Sequence, residues 1–171
     1  MYTWRISTVI TILVLCCLCT VAHCAVIRVS TTGNNGNDGS SWALAKLTIA
    51  SALSAASSGD EVWVKAGSYA ASATISLVEG VNVYGGFAGT ESSLQDRTLD
   101  WQSPSTIDGS TNYSDNGSTV KAPTGVTVAT IFDGFKVTGG SGTLLSGYYL
   151  GGGIYVAGDG LTISKDRKSV V

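Results

Sequence analysis

Pairs of apolar residues spaced two apart recur along the chain after residue 25, and they limit what it can fold into. Two is the period of a β-strand that buries one face. The pairs are Ile27/Val29, Val62/Val64, Ile75/Leu77, Val81/Val83, Phe135/Val137, Ile154/Val156 and Leu161/Ile163. Gly, Ser, Asn or Asp stand close to most pairs, and all 22 Gly follow residue 25. The pattern predicts an all-β chain of many strands, each about 3–5 residues long.

One stretch departs from this period and predicts a short amphipathic helix. Thr48 is its expected N-cap, and Gly59 is its expected terminator. The residues on its apolar face are Ile49, Ala52, Leu53 and Ala56. A single helix near the start of an all-β chain suits a cap over an open end of the fold. A helix lying against the side of a β-sandwich is the alternative.

An internal repeat favours a solenoid over a sandwich. Residues 79–86 match residues 133–140, and residues 159–163 repeat the first five positions. The unit is acid-Gly-apolar-polar-apolar, in which the acid and the Gly are expected to form an outer turn. Asp108 and Gly109 form only a partial middle copy. Such spacing suits the stacked coils of a parallel β-helix.

The first 24 residues have the pattern of a secretory signal peptide. Arg5 is the only charged residue before Arg28, and residues 6–22 are mostly apolar. Small residues at Ala22 and Cys24 predict cleavage after Cys24. An uncleaved membrane anchor is the alternative, because the apolar run reaches the lower limit of a membrane span.

Loss of this segment would remove every thiol and imidazole from the chain. The residues concerned are Cys16, Cys17, Cys19, His23 and Cys24. Cysteine proteases, Ser-His-Asp hydrolases, redox CxxC sites and zinc sites with His or Cys ligands are thereby excluded. Ten Lys and Arg against twelve Asp and Glu give a net charge of −2, so no basic patch for nucleic acid is expected.

Several segments resemble the N-terminal cap and first coils of right-handed parallel β-helix proteins. They are residues 29–33, 37–42, 48–49 with the Ala-rich helix, 59–69, 83–91 and 151–155. Over about residues 26–165, the chain is similar to the pectin-lyase-like superfamily, in a subgroup typical of large secreted or surface-displayed microbial proteins. The expected fold is therefore a right-handed parallel β-helix with a short N-terminal capping helix.

The expected domain organisation follows from these patterns. Residues 1–24 form the signal peptide, 25–60 the cap with its helix, and 61–165 an incomplete set of coils. Residues 166–171 have neither cap pattern nor coil alternation, and we expect them to be a non-native tail on a chain that naturally continues.

Side-chain directions follow from the strand period. Val62 and Val64 are expected to point inward, and Trp63 to face outward or to pack under a loop. Gly85 and Gly86 are expected to let the backbone bend between coil faces.

The resemblance implies that a lyase of this fold would use calcium held by clustered Asp, with an Arg or Lys as base. The isolated acids of this chain are Asp38, Asp60, Glu61, Glu79, Asp108, Asp115, Asp133 and Asp159. Nearly all adjoin Gly or Asn, where hydrogen bonds to turn backbone account for them. Glu91, Asp96 and Asp100, with Arg97 among them, predict a solvated loop with a local ion pair. No catalytic, cofactor-binding or metal-ligating residue is therefore predicted.

Three further features bear on ligands. Asn34, Asn37 and Asp38 supply closely spaced oxygens that predict at most a weak calcium site, since a plain turn loop explains them as well. Asn112 and Asn116 begin glycosylation sequons in a polar loop. Aromatic residues that could stack on sugars are Trp63, Trp101, Tyr84, Tyr148, Tyr149 and Tyr155.

These patterns predict a secreted or cell-surface β-helix module that is non-catalytic and serves adhesion or carbohydrate binding. The alternative is the N-terminal portion of a polysaccharide lyase or glycoside hydrolase. The expected partner is a polysaccharide or another cell-surface ligand, and not a nucleic acid. Membrane contact is expected only through the signal segment or a missing C-terminal anchor.

Overall fold

Short parallel strands wind into a β-solenoid in this computed structural model. It describes residues 24–100, 102–111, 117–122, 129–145, 148–150, 152–156, 160–164 and 167–168. The predicted signal segment before Cys24 lies outside the described residues, and so do Trp101 and both sequon asparagines.

The elements are short, as the two-residue period predicts. The strands are β1 Val26–Val29, β2 Glu61–Lys65, β3 Gly67–Ala70, β4 Ile75–Ser76, β5 Asn82–Phe87, β6 Ser105–Gly109, β7 Val120–Lys121, β8 Thr130–Asp133, β9 Phe135–Gly139, β10 Thr143–Leu145, β11 Tyr148–Leu150, β12 Ile154–Tyr155, β13 Leu161–Ser164 and β14 Arg167–Lys168. One α-helix, α1, spans Ile49–Ala55, and a 3₁₀ helix spans Leu94–Asp96.

In the described part of the chain, the parallel strands form three sheets. Sheet A has the order β1-β2-β5-β8-β13, sheet B contains β3, β6, β9 and β14, and sheet C contains β4, β7 and β12. Three coils give one strand to each sheet: β2, β3 and β4 form the first, β5, β6 and β7 the second, and β8, β9 and β12 the third. The antiparallel hairpin β10–β11 is inserted in the third coil. The prediction of an all-β parallel solenoid is confirmed, while its right hand stays a prediction.

The core lies inside the coils, where inward side chains stack from one coil to the next. Val62 pairs with Val83, and Val83 pairs with Phe132. All three are fully buried. Val64 is also buried, which confirms the predicted inward direction of the β2 valines. Val156 differs from its predicted inward position, since it is 41% exposed just beyond the end of β12.

Helix α1 lies against β1, β2 and β4 and buries Ile49, Ala52 and Leu53 in the same core. Its N-cap is Thr48, whose hydroxyl accepts the N–H of Ser51 at 3.2 Å, as predicted. Within the described residues, no helix has the length and apolar character needed to cross a membrane.

Gly59 does not end this helix, so that prediction is wrong. The helix ends at Ala55, and its C-cap Ala56 is extended with ψ at 150°. The chain must leave the helix there because Glu61 has to pair with Val26 in sheet A. Gly59 lies in the turn before β2, where its N–H donates to the carbonyl of Gly80 at 2.9 Å.

The second copy of the internal repeat does not lie at the solenoid position of the first and third copies, since Val83 and Ile163 both pair with Phe132 in sheet A. Val83, in the first copy, lies in sheet A, whereas Val137, in the second copy, lies in sheet B. The residue that stacks on Val83 is Phe132, before the second copy's apolar pair. Backbone pairing between coils sets the stacking, and a Gly-apolar signal recurs at corners of different faces.

The bend predicted at Gly85 and Gly86 lies inside β5 as a bulge, where the pairing with β2 shifts register. Gly86 has φ at +83°, which favours glycine. A Cβ on Gly85 would lie 2.7 Å from the carbonyl oxygen of Gly134. The two glycines therefore allow close approach between the second and third coils.

Candidate functional site

Outward side chains of sheet A form a row across successive coils, because parallel pairing aligns every second residue. The row is Arg28, Trp63, Tyr84, Asp133 and Ser164. The long connection between β5 and β6, residues 88–104, covers part of this row. Between that connection and sheet A lies a cleft of about 640 Å³, which we call the lateral cleft. Its lining is Tyr84, Leu94, Gln95, Arg97, Thr98, Leu99, Ile131, Asp133 and Ser164.

The row begins beneath a small aromatic cluster that fixes the connection to the sheet. Trp63 is 3% exposed and stacks on Phe87 with ring centroids 4.7 Å apart. Trp42 contacts Phe87 at 5.6 Å, and the Arg28 guanidinium lies 5.3 Å from the Trp63 ring centroid. Trp63 thus packs under a loop, which is one of its two predicted positions. It is buried and unable to stack on a sugar.

The two other aromatic candidates whose side chains the structure describes, Tyr84 and Tyr155, lie on different sheets. Tyr84 is 7% exposed at the cleft wall, and burial raises the pKa of its hydroxyl, with repulsion from Glu61 adding to the effect. Tyr155 lies on sheet C, where the Lys121 ammonium is 6.0 Å from its ring centroid. The side chains of Tyr148 and Tyr149 lie outside the described part of the structure.

The floor of the cleft is an ion pair between Arg97 and Asp133. One Arg97 nitrogen contacts Asp133 Oδ2, and the side chains are only 7% and 6% exposed. Arg97 also donates to the carbonyl of Gly85 at 2.9 Å. The Ser164 hydroxyl donates to Asp133 Oδ1 at 2.7 Å. Both charges are therefore held in place from two directions.

Two predictions fail at this ion pair. Arg97 was expected to pair with a nearby acid in a solvated loop, and Asp133 to stand in an outer turn. Asp133 instead ends β8 beneath the connection, where a buried carboxylate needs a partner. Arg97 reaches it from a different coil, and local spacing in the sequence carries no signal of that contact.

The ion pair limits what the cleft can do chemically. Arg97 and Ser164 each donate to one oxygen of Asp133, so this carboxylate is held in place and its charge is offset by the guanidinium. The Arg97 guanidinium lies over the Tyr84 ring at 5.4 Å. Gln95 and Thr98 are exposed at the rim. The cleft offers fixed donors and acceptors with little net charge, beside the apolar side chains of its lining.

Glu91 anchors the start of the connection. Its side chain accepts the N–H groups of Ala88, Gly89 and Thr90 at 2.6, 2.8 and 2.9 Å. Its carbonyl accepts the indole N–H of Trp42 at 3.0 Å. Burial raises the pKa of the Glu91 carboxyl, but these backbone hydrogen bonds outweigh burial and hold the pKa below its ordinary value. Sequence spacing groups Glu91 with Asp96 and Asp100 and carries no signal of this role.

We expect Glu91→Gln to lower the free energy of unfolding by about 1–2 kcal/mol near neutral pH, because charge-assisted hydrogen bonds are lost. Since the folded pKa is depressed, this stability is present above the ordinary pKa of about 4.3 and is lost as the pH falls through the folded pKa. Urea unfolding followed by tryptophan fluorescence measures it.

The matched control for Glu91 is Asp100→Asn, because Asp100 is exposed and accepts a single N–H, from Gln102 at 2.9 Å. We expect only a few tenths of a kcal/mol for this control. A Glu91→Gln loss that persists unchanged into strong acid would contradict the assigned role.

The Asn34–Asp38 stretch, predicted at most as a weak calcium site, already holds a cation. The Lys46 ammonium donates to the carbonyls of Asn37 and Asn35 at 2.7 and 3.3 Å, and Lys46 is 7% exposed. Asp38 Oδ1 accepts the N–H of Ser40 at 2.9 Å. Among the described residues, no group of three or more His, Cys, Asp or Glu could hold a metal ion.

Other acids bond to turn backbone as predicted. Asp60 accepts the N–H of Ser57 at 2.8 Å, and Asp108 accepts that of Ser110 at 2.9 Å. Asp108 and Gly109, the partial copy of the repeat, lie at the end of β6, so the turn follows them.

A second groove, of about 500 Å³, lies between the start of α1 and strand β3. Its wall includes Leu47 and Tyr69. The Tyr69 hydroxyl is directed away into the backbone, where it donates to the carbonyl of Lys65 at 2.7 Å. Burial raises the pKa of Tyr69, which keeps this hydroxyl protonated. The lateral cleft, with its fixed charges, is therefore the better candidate site.

The pectin-lyase-like resemblance stays a prediction, whereas the parallel β-solenoid is what the structure shows. Comparison with protein-family models, curated proteins and solved structures finds no match to this chain.

Proposed function

We propose that this chain is a secreted or cell-surface module of the pectin-lyase-like superfamily that binds carbohydrate through its lateral cleft without catalysis. One observation carries the proposal: a buried donor-acceptor pair, Arg97 with Asp133, forms the floor of a cleft of about 640 Å³ on an outer face of the solenoid. Ligand sites are commonly clefts of about 300–1,000 Å³ with a few fixed polar groups.

The fixed polar groups favour a sugar over other ligands. Sugar hydroxyls both donate and accept hydrogen bonds, and exposed Gln95 and Thr98 at the rim can do the same. Leu94, Leu99 and Ile131 supply apolar surface for the C–H faces of a ring. Because Asp133 offsets the charge of Arg97, the cleft favours a neutral sugar over a uronate.

The proposal is non-catalytic because Asp133 is ion-paired with Arg97, and the described lining of the cleft holds no second carboxyl group. Glycoside hydrolysis needs two carboxyl groups on either side of the scissile bond, and lyase chemistry needs a base that can take up a proton. The alternative is the N-terminal portion of a lyase or hydrolase. It predicts that unsaturated products form from pectate when the chain and calcium are present, and we expect none.

The binding test uses the exported chain and neutral oligosaccharides of xylose, glucose and mannose, with oligogalacturonate as the acidic comparison. Calorimetry should detect a neutral oligosaccharide, and Gln95→Ala should weaken its binding about fivefold through loss of one hydrogen bond. Gln102→Ala is the matched control, because Gln102 is an exposed amide on the same connection outside the cleft. Absence of neutral-sugar binding, or equal effects of the two variants, would contradict the proposal.

A further inference from the structure

The backbone at Ala25 lies directly against a carboxylate. The Ala25 N–H donates to Asp60 Oδ1 at 2.9 Å, and the other carboxylate oxygen of Asp60 accepts the N–H of Ser57 at 2.8 Å. The Ala25 carbonyl accepts the N–H of Glu61 at 2.8 Å. Ala25 is thus held between the start of β1 and the start of β2, and its nitrogen faces Asp60.

The predicted signal-peptide cleavage falls at the bond to this nitrogen. Hydrolysis adds water to the Cys24 carbonyl carbon and breaks the bond to Ala25. Cys24 leaves with a carboxylate, and the Ala25 nitrogen takes up protons to become an α-ammonium. The pairing of Val26 with Glu61 and of Ile27 with Val62 holds the following backbone in place. The new charge would therefore appear where the neutral N–H now lies.

We propose that Asp60 is a binding site for the α-ammonium that cleavage after Cys24 creates, and that this ion pair fastens β1 to β2. The proposal rests on the proposed secretion of the chain. A peptide N–H has one donor for Asp60, whereas an ammonium has three donors and a full positive charge. Processing would then stabilise the fold at the cap, in addition to releasing the chain.

The charges around this position favour a cation. Burial raises the pKa of the Cys24 thiol, and the negative charges of Glu61 and Asp60 raise it further. The Tyr84 hydroxyl also interacts electrostatically with Cys24, and because burial raises its pKa it is neutral at physiological pH. A cation at Ala25 would meet the Asp60 carboxylate, and the negative charge of Glu61 acts on the adjoining residue, Cys24.

The test compares three preparations: one beginning with a free Ala25, one with Ala25 acetylated, and one beginning at residue 24 with Cys24→Ser and an acetylated N-terminus. Each is made with Asp60 and with Asp60→Asn, and urea unfolding is measured at about pH 6.5, below the ordinary α-amino pKa of about 7.7–8.0. We expect Asp60→Asn to lower the folding equilibrium constant in all three preparations. The reduction should be about threefold larger in the free-Ala25 chain than in the other two.

The pH dependence follows from the sign of the shift. A neighbouring carboxylate raises the pKa of an α-amino group in the folded chain, so its stabilisation is full below the unfolded pKa. It is lost as the pH rises through the folded pKa. The free and acetylated chains should therefore converge in stability at about pH 10–11. Asp38→Asn is the matched control, because Asp38 is an exposed carboxylate that accepts the N–H and the hydroxyl of Ser40.

Each outcome decides a separate point. An equal effect of Asp60→Asn in all three preparations would overturn the binding site. N-terminal sequencing of exported protein should begin at Ala25. A different start would overturn this ion pair in the natural protein and leave secretion intact, whereas an exported chain that keeps Arg5 would contradict the cleavage itself.

Discussion

Val83→Asp should destabilise the protein by about 4 kcal/mol or more, because it places a carboxylate without a partner inside the coil stack. Val83 is fully buried between Val62 of the first coil and Phe132 of the third. Because Val83 has no solvent exposure, the new carboxylate could stay ionised only if the coils separated and admitted water. Urea or thermal unfolding followed by circular dichroism measures the loss.

The control is the neighbouring residue, Asn82→Asp. Asn82 faces outward, and its side-chain oxygen accepts the N–H of Ile131 at 3.0 Å, which a carboxylate can also do. We expect a change below about 1 kcal/mol for this variant. Similar losses at Val83 and Asn82 would mean that the inward and outward faces of β5 are assigned incorrectly.

Arg97→Met should cost about 3–5 kcal/mol, because it leaves the Asp133 carboxylate buried and without its cation. The side chain also contacts Tyr84 and Phe87, with the guanidinium 5.4 and 5.7 Å from their ring centroids. Methionine keeps much of the apolar stem, so the loss reports mainly on the charge. Unfolding in urea measures it, with the free energy extrapolated to water.

A double-mutant cycle separates the ion pair from general damage. Asp133→Asn alone should also destabilise, but the double variant should lose less than the sum of the single losses. Lys136→Met is the matched control, since Lys136 faces outward on β9 and is only half-buried. Additive losses at Arg97 and Asp133 would contradict a direct ion pair.

Much of the fold could be predicted from local pattern. The two-residue alternation at Val62 and Val64 predicts a strand with one buried face, and both valines are buried. Thr48 followed by a helical apolar spacing predicts α1, and the cap hydrogen bond is present. These features succeed because they depend on backbone period and on neighbours a few residues away.

Stacking between coils could not be predicted in the same way. Phe132, and not Phe135 of the repeated motif, lies over Val83. The length of the connections and the hydrogen-bond register between parallel strands decide which residues meet, and neither appears in the local period.

At the candidate site, too, local features could be predicted, whereas contacts between distant segments could not. The sequence by itself determined strand period, helix position and the turn bonding of acids such as Asp60. Only the tertiary structure brought Arg97 to Asp133, Lys46 to the carbonyls of the Asn34–Asp38 stretch, and Ala25 to Asp60. These contacts satisfy charges and donors that folding removes from water, and the partners come from whichever segment the coil stacking places beside them.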